Sequence, residues 1–273
     1  MSYEDKMFLK QMDNKFVRDA SGSWVAPLPF RVPRQSLPNN RQQALQRAKL
    51  LDASLRRNPV KLEHFLTFMS KIFDNNHAEH APPLKDHEEC WYLPLFGVYH
   101  LKKPDQIRAV FDSSAKCNGV SLNSVLLTGP VAGCCNNNPH TLNHSTRQFQ
   151  NLTNDLLGLL IRFRKEMVAV TADIQHMFHC FLVREDHRNY LRFLWHRDKD
   201  IDNDLVEYRM RVHVFRNSTS PAVATLGLRK TAQASGKDFG NRVTQFVSRN
   251  FYVDDGLTPS TTKEEAINLI KDT

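Results

Sequence analysis

Long apolar runs are missing from this sequence. No uninterrupted stretch approaches the roughly 18 residues that a membrane helix needs, charged residues make up 24% and mean hydropathy is −0.49, so the chain reads as soluble with no membrane partner. Cysteine is scarce and odd in number, five with two adjacent at Cys134 and Cys135. The opening MSYEDKMFLK has no apolar signal core, and together these features imply a reducing, intracellular setting. A phosphate-binding P-loop, a GxSxG elbow, an HExxH helix and a C-x₂-C pair are all lacking, which leaves an NTPase, an elbow-type hydrolase and a zincin unsupported. There is no internal repeat.

What is present is a chain of 273 residues, 41% of them hydrophobic, enough for one large domain or two modest ones. Lys and Arg number 37 against 29 Asp and Glu, a formal charge of +8, so the long-range field favours polyanions such as nucleic acid.

Residues 1–88 read as an N-terminal connector. A charged helical stretch is followed by SWVAPLPFRVPRQSLPNN, whose prolines mark a linker. Two amphipathic helices come next, NRQQALQRAKLLDASLRR and VKLEHFLTFMSKIFD. HEEC at 87–90 reads as solvated. From Glu89 to the end, WYLPLFGVYHL and QIRAVFDSS read as strands, LTNDLLGLLIRFRKE as a helix, and MVAVTADI as a buried strand ending in Asp173. RNYLRFLW and EYRMRVHVF read as a strand pair, SPAVATLGLRKTAQ as a helix, and TQFVSRNFYVDDGL as a strand turning at Asp-Asp-Gly. A last helix, KEEAINLIKDT, is capped by Thr262. This order predicts an α+β fold, an antiparallel sheet with helices on one face.

Asp254 and Asp255 stand where Phe251, Tyr252 and Val253 meet Gly256. An Asp-Gly turn is an ordinary hairpin signal, so local sequence leaves a structural reading open. A third acid, Asp173, at the polar end of an apolar strand, would be costly to bury without a cation. If the two strands are neighbours, the three acids can hold two hard divalent ions.

These residues carry a resemblance. Phe251-Tyr252-Val253-Asp254-Asp255 with Val170-Thr171-Ala172-Asp173-Ile174 resembles the catalytic motifs of retroelement reverse transcriptases. WYLPLFGVYH, KKPDQIRAVFDSSAK, GVSLNSVLLTGP, LTNDLLGLLIRFRKE, VAVTADIQHMFH, YRMRVHVF and RNFYVDDGL resemble, in order, the polymerase of BEL/Pao-type LTR retrotransposons. The likeness runs from about Trp91 to the C-terminus, and more weakly upstream. It implies the fingers and palm of a right-hand polymerase at 89–273, with an antiparallel palm sheet. The implied function is an RNA-directed DNA polymerase, joining dNTPs to a primer 3′-OH on an RNA or DNA template. The implied cofactor is a pair of Mg²⁺ ions, with Mn²⁺ able to substitute. Asp173, Asp254 and Asp255 are implied as the catalytic, metal-binding triad, with the carbonyl of Ile174 a further ligand. Lys103 and Arg108 are implied as holding the incoming triphosphate, Phe178 as the gate against a sugar 2′-OH, and Tyr252 and Val253 as touching primer and template. Other parts of a retrotransposon polyprotein are implied partners, and the setting is the cytoplasm, within retroelement particles. A catalytically inactive nucleic-acid-binding remnant, or a merely structural fragment, is the alternative.

The chain departs from the family pattern at two places. Where the family reads Phe-Gly beside the nucleotide, this chain has Phe215-Arg216, and an arginine there needs outward rotation or a strained backbone. Residues 131–150 are foreign to the family spacing and read as an inserted loop or in-frame retained intron, so that transcripts joining Pro130 to Asn151 are expected. His140 and His144 near Cys134 and Cys135 have zinc-ligand types without zinc spacing. His176–Cys180 reads as a turn. Thumb, connection and RNase H are not recognised in these residues, so weak or no activity is expected of this chain alone.

Overall fold

The computed structural model describes residues 2–100, 103–130, 156–234 and 236–272; the expected insertion at 131–150 lies outside them. In chain order the elements begin with α1 (Tyr3–Asp13), β1 (Val17–Arg18), β2 (Trp24–Ala26), α2 (Arg41–Arg56), α3 (Pro59–Asp74) and β3 (Ala78–His80). Next come β4 (Leu95–His100), β5 (Lys103–Phe111), α4 (Leu122–Val125), α5 (Leu156–Phe163), β6 (Val168–Asp173) and β7 (Leu182–Val183). The rest are β8 (Arg192–His196), β9 (Leu205–Met210), α6 (Ser220–Ala234), α7 (Gly236–Arg249), β10 (Phe251–Tyr252), β11 (Asp255–Ser260) and α8 (Lys263–Asp272). The fold is mixed α+β. Among the described residues there are, instead of one sheet, four small ones, three of three strands and one of two, and β2 pairs with β7 in parallel.

The chain forms two compact units. The first comprises Met1–Gln11, Thr128–Met177 and Pro221–Thr273; the second comprises Met12–Leu127 and Phe178–Ser220.

The second unit holds the larger core. Both expected amphipathic helices form. Asn58 accepts from the Lys61 N–H and Pro59 sits at the first helical position, so α3 starts where its capping chemistry dictates. Its Phe65, Met69 and Ile72 are buried with Trp91, Leu93, Phe193 and Trp195, and Phe65 stacks on Trp195 at 5.2 Å. Each such side chain contributes roughly 1.5–3 kcal/mol by leaving water. The expected boundary at residue 88 therefore falls inside this core. The proline-rich stretch is not a linker: β2 joins a sheet and Leu28 and Leu37 are buried in the same core. Proline fixes an extended φ that suits a path along a core as well as a free tether. HEEC is likewise no solvated segment, because Cys90 is buried and Glu89 accepts hydrogen bonds from Arg34, the Leu37 N–H and Tyr190.

The first unit is built on the sheet β10-β11-β6. The expected strand over TQFVSR is instead the end of α7, with Phe246 and Val247 packed beside Val243, Ala232, Phe251 and Leu269. Apolar residues at 243, 246 and 247 have helical spacing, which the β-rich composition of the segment conceals. β6 is not a buried strand: only Val170 is buried, since the strand lies at the sheet edge and its alternate residues Ala169, Thr171 and Asp173 are exposed. The C-terminal helix is capped as expected, with the Glu265 N–H donating to Thr262 Oγ1 at 3.2 Å.

Candidate active site

Register brings the acids together. β11 pairs antiparallel with β6 so that Asp255 stands directly opposite Asp173, and the pairing continues to Ser260 and Val168. Residues so opposed have Cβ atoms about 5 Å apart and share a face. β10 pairs with β11 through Phe251–Gly256 and Tyr252–Asp255, which leaves Val253 and Asp254 as the connecting residues. The turn thus comes one residue before the expected Asp-Asp-Gly. The Ile174 N–H donates to the Asp254 carbonyl at 3.1 Å, tying the hairpin to the residue after Asp173.

Two local features explain this geometry. Val253 has φ +58°, a left-handed conformation that a β-branched residue adopts only under strain. Gly256 has a different reason: a Cβ there would lie 2.7 Å from Phe251 Cζ. The glycine of the motif lets an aromatic ring lie flat against the strand, and its value is space rather than turn conformation.

The acids themselves are accessible. Asp173 and Asp255 are exposed and Asp254 is half-buried, so the desolvation cost expected for Asp173 is not what places it. Among the described residues, none of the three carboxylates accepts a hydrogen bond or meets a cationic side chain. The Asp255 carboxyl is held above the usual range, by partial burial and then by the charges of Asp254 and Asp173. Asp255 therefore feels the charge of the other two. They are not drawn into a cage: among the described residues no three His, Cys, Asp or Glu side chains are gathered as a metal site. Donor chemistry fits a hard divalent ion, because all the side-chain donors are carboxylate oxygens with unspent charge. The Ile174 carbonyl, expected as a further ligand, accepts from the Met177 N–H at 3.2 Å and keeps a second lone pair.

The other expected residues lie in the second unit. Lys103 opens β5, and its side chain lies outside the described set. Arg108 is exposed, with its guanidinium over the Phe215 ring at 5.2 Å. Phe215 is 42% exposed and stacks on Phe178 at 6.0 Å, 28° from parallel. Arg216 has φ +69°, the strained alternative expected for a non-glycine at this position. Its carbonyl accepts from Asn123 Nδ2 at 3.0 Å, and its guanidinium lies 5.8 Å from the Phe96 ring. Residues 177–180 form one 3₁₀ turn, as read for this segment. Phe96 and Asn123 were not singled out in the sequence. Alternation along β4 opposite Arg108 would have found Phe96; Asn123 carries no local signal.

No protein-family model matches the chain, and no curated protein matches it. Among solved structures, the chain is similar to a foamy viral protease–reverse transcriptase in complex with double-stranded DNA, at 13% identity and a TM-score of 0.47. The likeness covers 100% of this chain and 38% of that one.

Proposed function

We propose that the chain carries the fingers and palm of a retroelement RNA-directed DNA polymerase of the BEL/Pao type. One observation supports this above the others: the register that sets Asp173 opposite Asp255, with Asp254 beside them and no cation among the described side chains to neutralise the three. In this reading Asp173, Asp254 and Asp255, with the carbonyl of Ile174, hold two Mg²⁺ ions. Bound there, the ions supply charge neutralisation and an activated primer 3′-OH for attack on the α-phosphorus of a dNTP, with pyrophosphate leaving. Tyr252 and Val253 contact the primer end and template by shape. Lys103 and Arg108 bind the triphosphate, Arg108 through a planar fork suited to phosphate oxygens. Phe178 excludes a ribose 2′-OH by contact.

Titration with Mn²⁺ or Mg²⁺ tests the reading directly, together with single-nucleotide extension of a short primer on an RNA template. Divalent binding that is lost in Asp173→Asn and Asp254→Asn, with metal-dependent extension lost alongside it, is the expected result. Divalent binding unchanged in both variants overturns it. One observation favours the alternative of an inactive nucleic-acid-binding remnant, namely that the carboxylates are not gathered as they stand. That alternative predicts salt-sensitive RNA–DNA binding that survives Asp254→Asn, with no incorporation.

A further inference from the structure

Asn250 joins three elements of the first unit. It follows the last residue of α7, and its N–H donates to the Phe246 carbonyl at 2.9 Å as one more helical rung. Its own carbonyl accepts from the Leu257 N–H at 2.8 Å, which extends the β10–β11 ladder beyond Phe251 and Gly256. Its side-chain Nδ2 donates to Thr258 Oγ1 at 2.7 Å, and Thr258 is buried and stands opposite Val170 in β6. Beside this joint, Arg162 of α5 donates to the Arg249 carbonyl at 3.0 Å. The hairpin that carries Asp254 and Asp255 is thereby anchored at its base against the strand that carries Asp173.

Ending a helix does not account for the side chain. The end of α7 uses the backbone N–H of Asn250 and leaves the amide uncommitted. β10 contributes only two residues to its ladder, too few to fix register by pairing alone. A slip of β10 by one residue would turn Tyr252 to the other face and move the turn off Val253 and Asp254. The amide of Asn250 distinguishes these registers. Thr258 offers it an oxygen, whereas Leu257 and Pro259 on either side carry no side-chain acceptor. A slipped hairpin would leave a half-buried amide unpaired, which is costly.

We propose that Asn250 is a positioning residue for the divalent site: its amide, held by Thr258, selects the hairpin register that sets Asp254 beside Asp173 and Asp255. It acts through the turn, whose Asp254 carbonyl accepts from the Ile174 N–H at 3.1 Å and so is tied to the residue after Asp173. Without the Asn250–Thr258 bond the base of the hairpin loosens, and the turn spends more time away from Ile174. Ion affinity follows, because carboxylates bind a hard cation well only when they are held in a fixed relation to one another. The effect on ions rests on the polymerase reading, whereas the effect on the hairpin does not.

The experiment pairs hydrogen exchange at the Ile174 N–H of the full chain, without metal, with equilibrium binding of Mn²⁺ well below the unfolding transition. Asn250→Ala and Thr258→Val are each expected to speed Ile174 exchange and to weaken Mn²⁺ binding by about fivefold, the effect of one lost hydrogen bond. Both remove the same bond, so the double variant should lose no more than either single one. Thr258→Ser keeps the hydroxyl and is expected to stay within about twofold of the unaltered chain. The Val247 and Leu269 amides, in the core of the same unit, should keep their protection, which general destabilisation would not allow. Unchanged Ile174 exchange in Asn250→Ala, unchanged affinity for Mn²⁺ that the unaltered chain binds, or an equal loss of protection at Val247 and Leu269 overturns the proposal. Absence of Mn²⁺ binding in the unaltered chain overturns the polymerase reading instead, and Ile174 exchange then decides the placement of the hairpin by itself.

Discussion

The two units spend their charge in opposite ways. In the second, buried or half-buried acids are all answered: Glu207 accepts from Arg41 at 2.6 Å, Tyr92 Oη at 2.7 Å and Arg192 at 2.7 Å. Glu79 meets Arg209 at 2.7 Å, Arg188 at 3.3 Å and Arg211 at 3.4 Å. Burial works against the Glu207 carboxylate, yet these partners hold its pKa below the usual range, and the Arg34 contact takes Glu89 down to about 2. Among the described residues Asp173, Asp254 and Asp255 in the first unit have no such partners, and the carboxyl of Asp255 moves the other way. Paired charge is what a fold needs to keep ionised groups inside it. Unpaired, mutually repelling charge at a sheet end serves no fold, and is what a ligand of opposite sign can use.

The sharpest way to break this contrast is to remove an answered charge. Arg192 is 1% exposed; its guanidinium donates to Glu207, Asn189 and the Pro82 carbonyl. Arg192→Ala empties a fully buried volume and takes the guanidinium from the Pro82 carbonyl, while Glu207 keeps Arg41 and Tyr92; it is expected to cost about 3–5 kcal/mol, read as a fall in the urea midpoint at constant m-value. Adding Glu207→Gln should not return that loss, since the Glu207 carboxylate still answers Arg41.

Acid comes next in size. Burial takes His213 and His187 down to about 4, against an ordinary value near 6.5. Both stay neutral in the fold while the unfolded chain takes up protons, so stability falls as pH drops from about 6.5 to 4, by about 3 kcal/mol per ring. The Glu89 contribution, depressed in the fold, is lost lower still, as pH falls from its ordinary range towards 2. Residue-resolved hydrogen exchange at pH 7 and pH 4.5 should show protection falling around Leu28, whose N–H donates to His187 Nδ1 at 2.9 Å. The sheet carrying Asp255 should not lose protection in that window, because a raised carboxyl is relieved by protonation.

This contrast also marks what could be read from sequence. That the three acids meet was legible because each ends or follows a run of strand-forming residues, and register is fixed once those runs pair. Thr262 was legible as a cap and α3 as an amphipathic helix, since both are local. Glu207 and Arg192 were not, because Arg41, Tyr92 and the Pro82 carbonyl, which meet them, sit at separations no local pattern reports. Leu28 and Leu37 hid behind prolines whose linker signal is compositional, and α7 hid behind β-branched residues that tertiary packing places on a helix. The strain at Arg216 was foreseeable only because a residue with a Cβ stands where glycine is expected.

The smallest expected effect is the most discriminating. If Asp255 were a structural hairpin residue, replacing its carboxylate would remove something the fold uses, and Asp255→Asn would destabilise the chain. The side chain is exposed, accepts no hydrogen bond among the described residues, and is repelled by Asp254 and Asp173. Removing its charge should therefore change stability by no more than about 0.5 kcal/mol, in the stabilising direction, while divalent affinity falls by far more than that. The same raised carboxyl predicts that divalent binding strengthens as pH rises through its titration, because the ion competes with a proton. A destabilised Asp255→Asn with intact divalent binding would return the acids to the ordinary hairpin reading. A slightly more stable variant that no longer binds the ion would set the first unit's charge apart from the second's, as charge kept for a ligand.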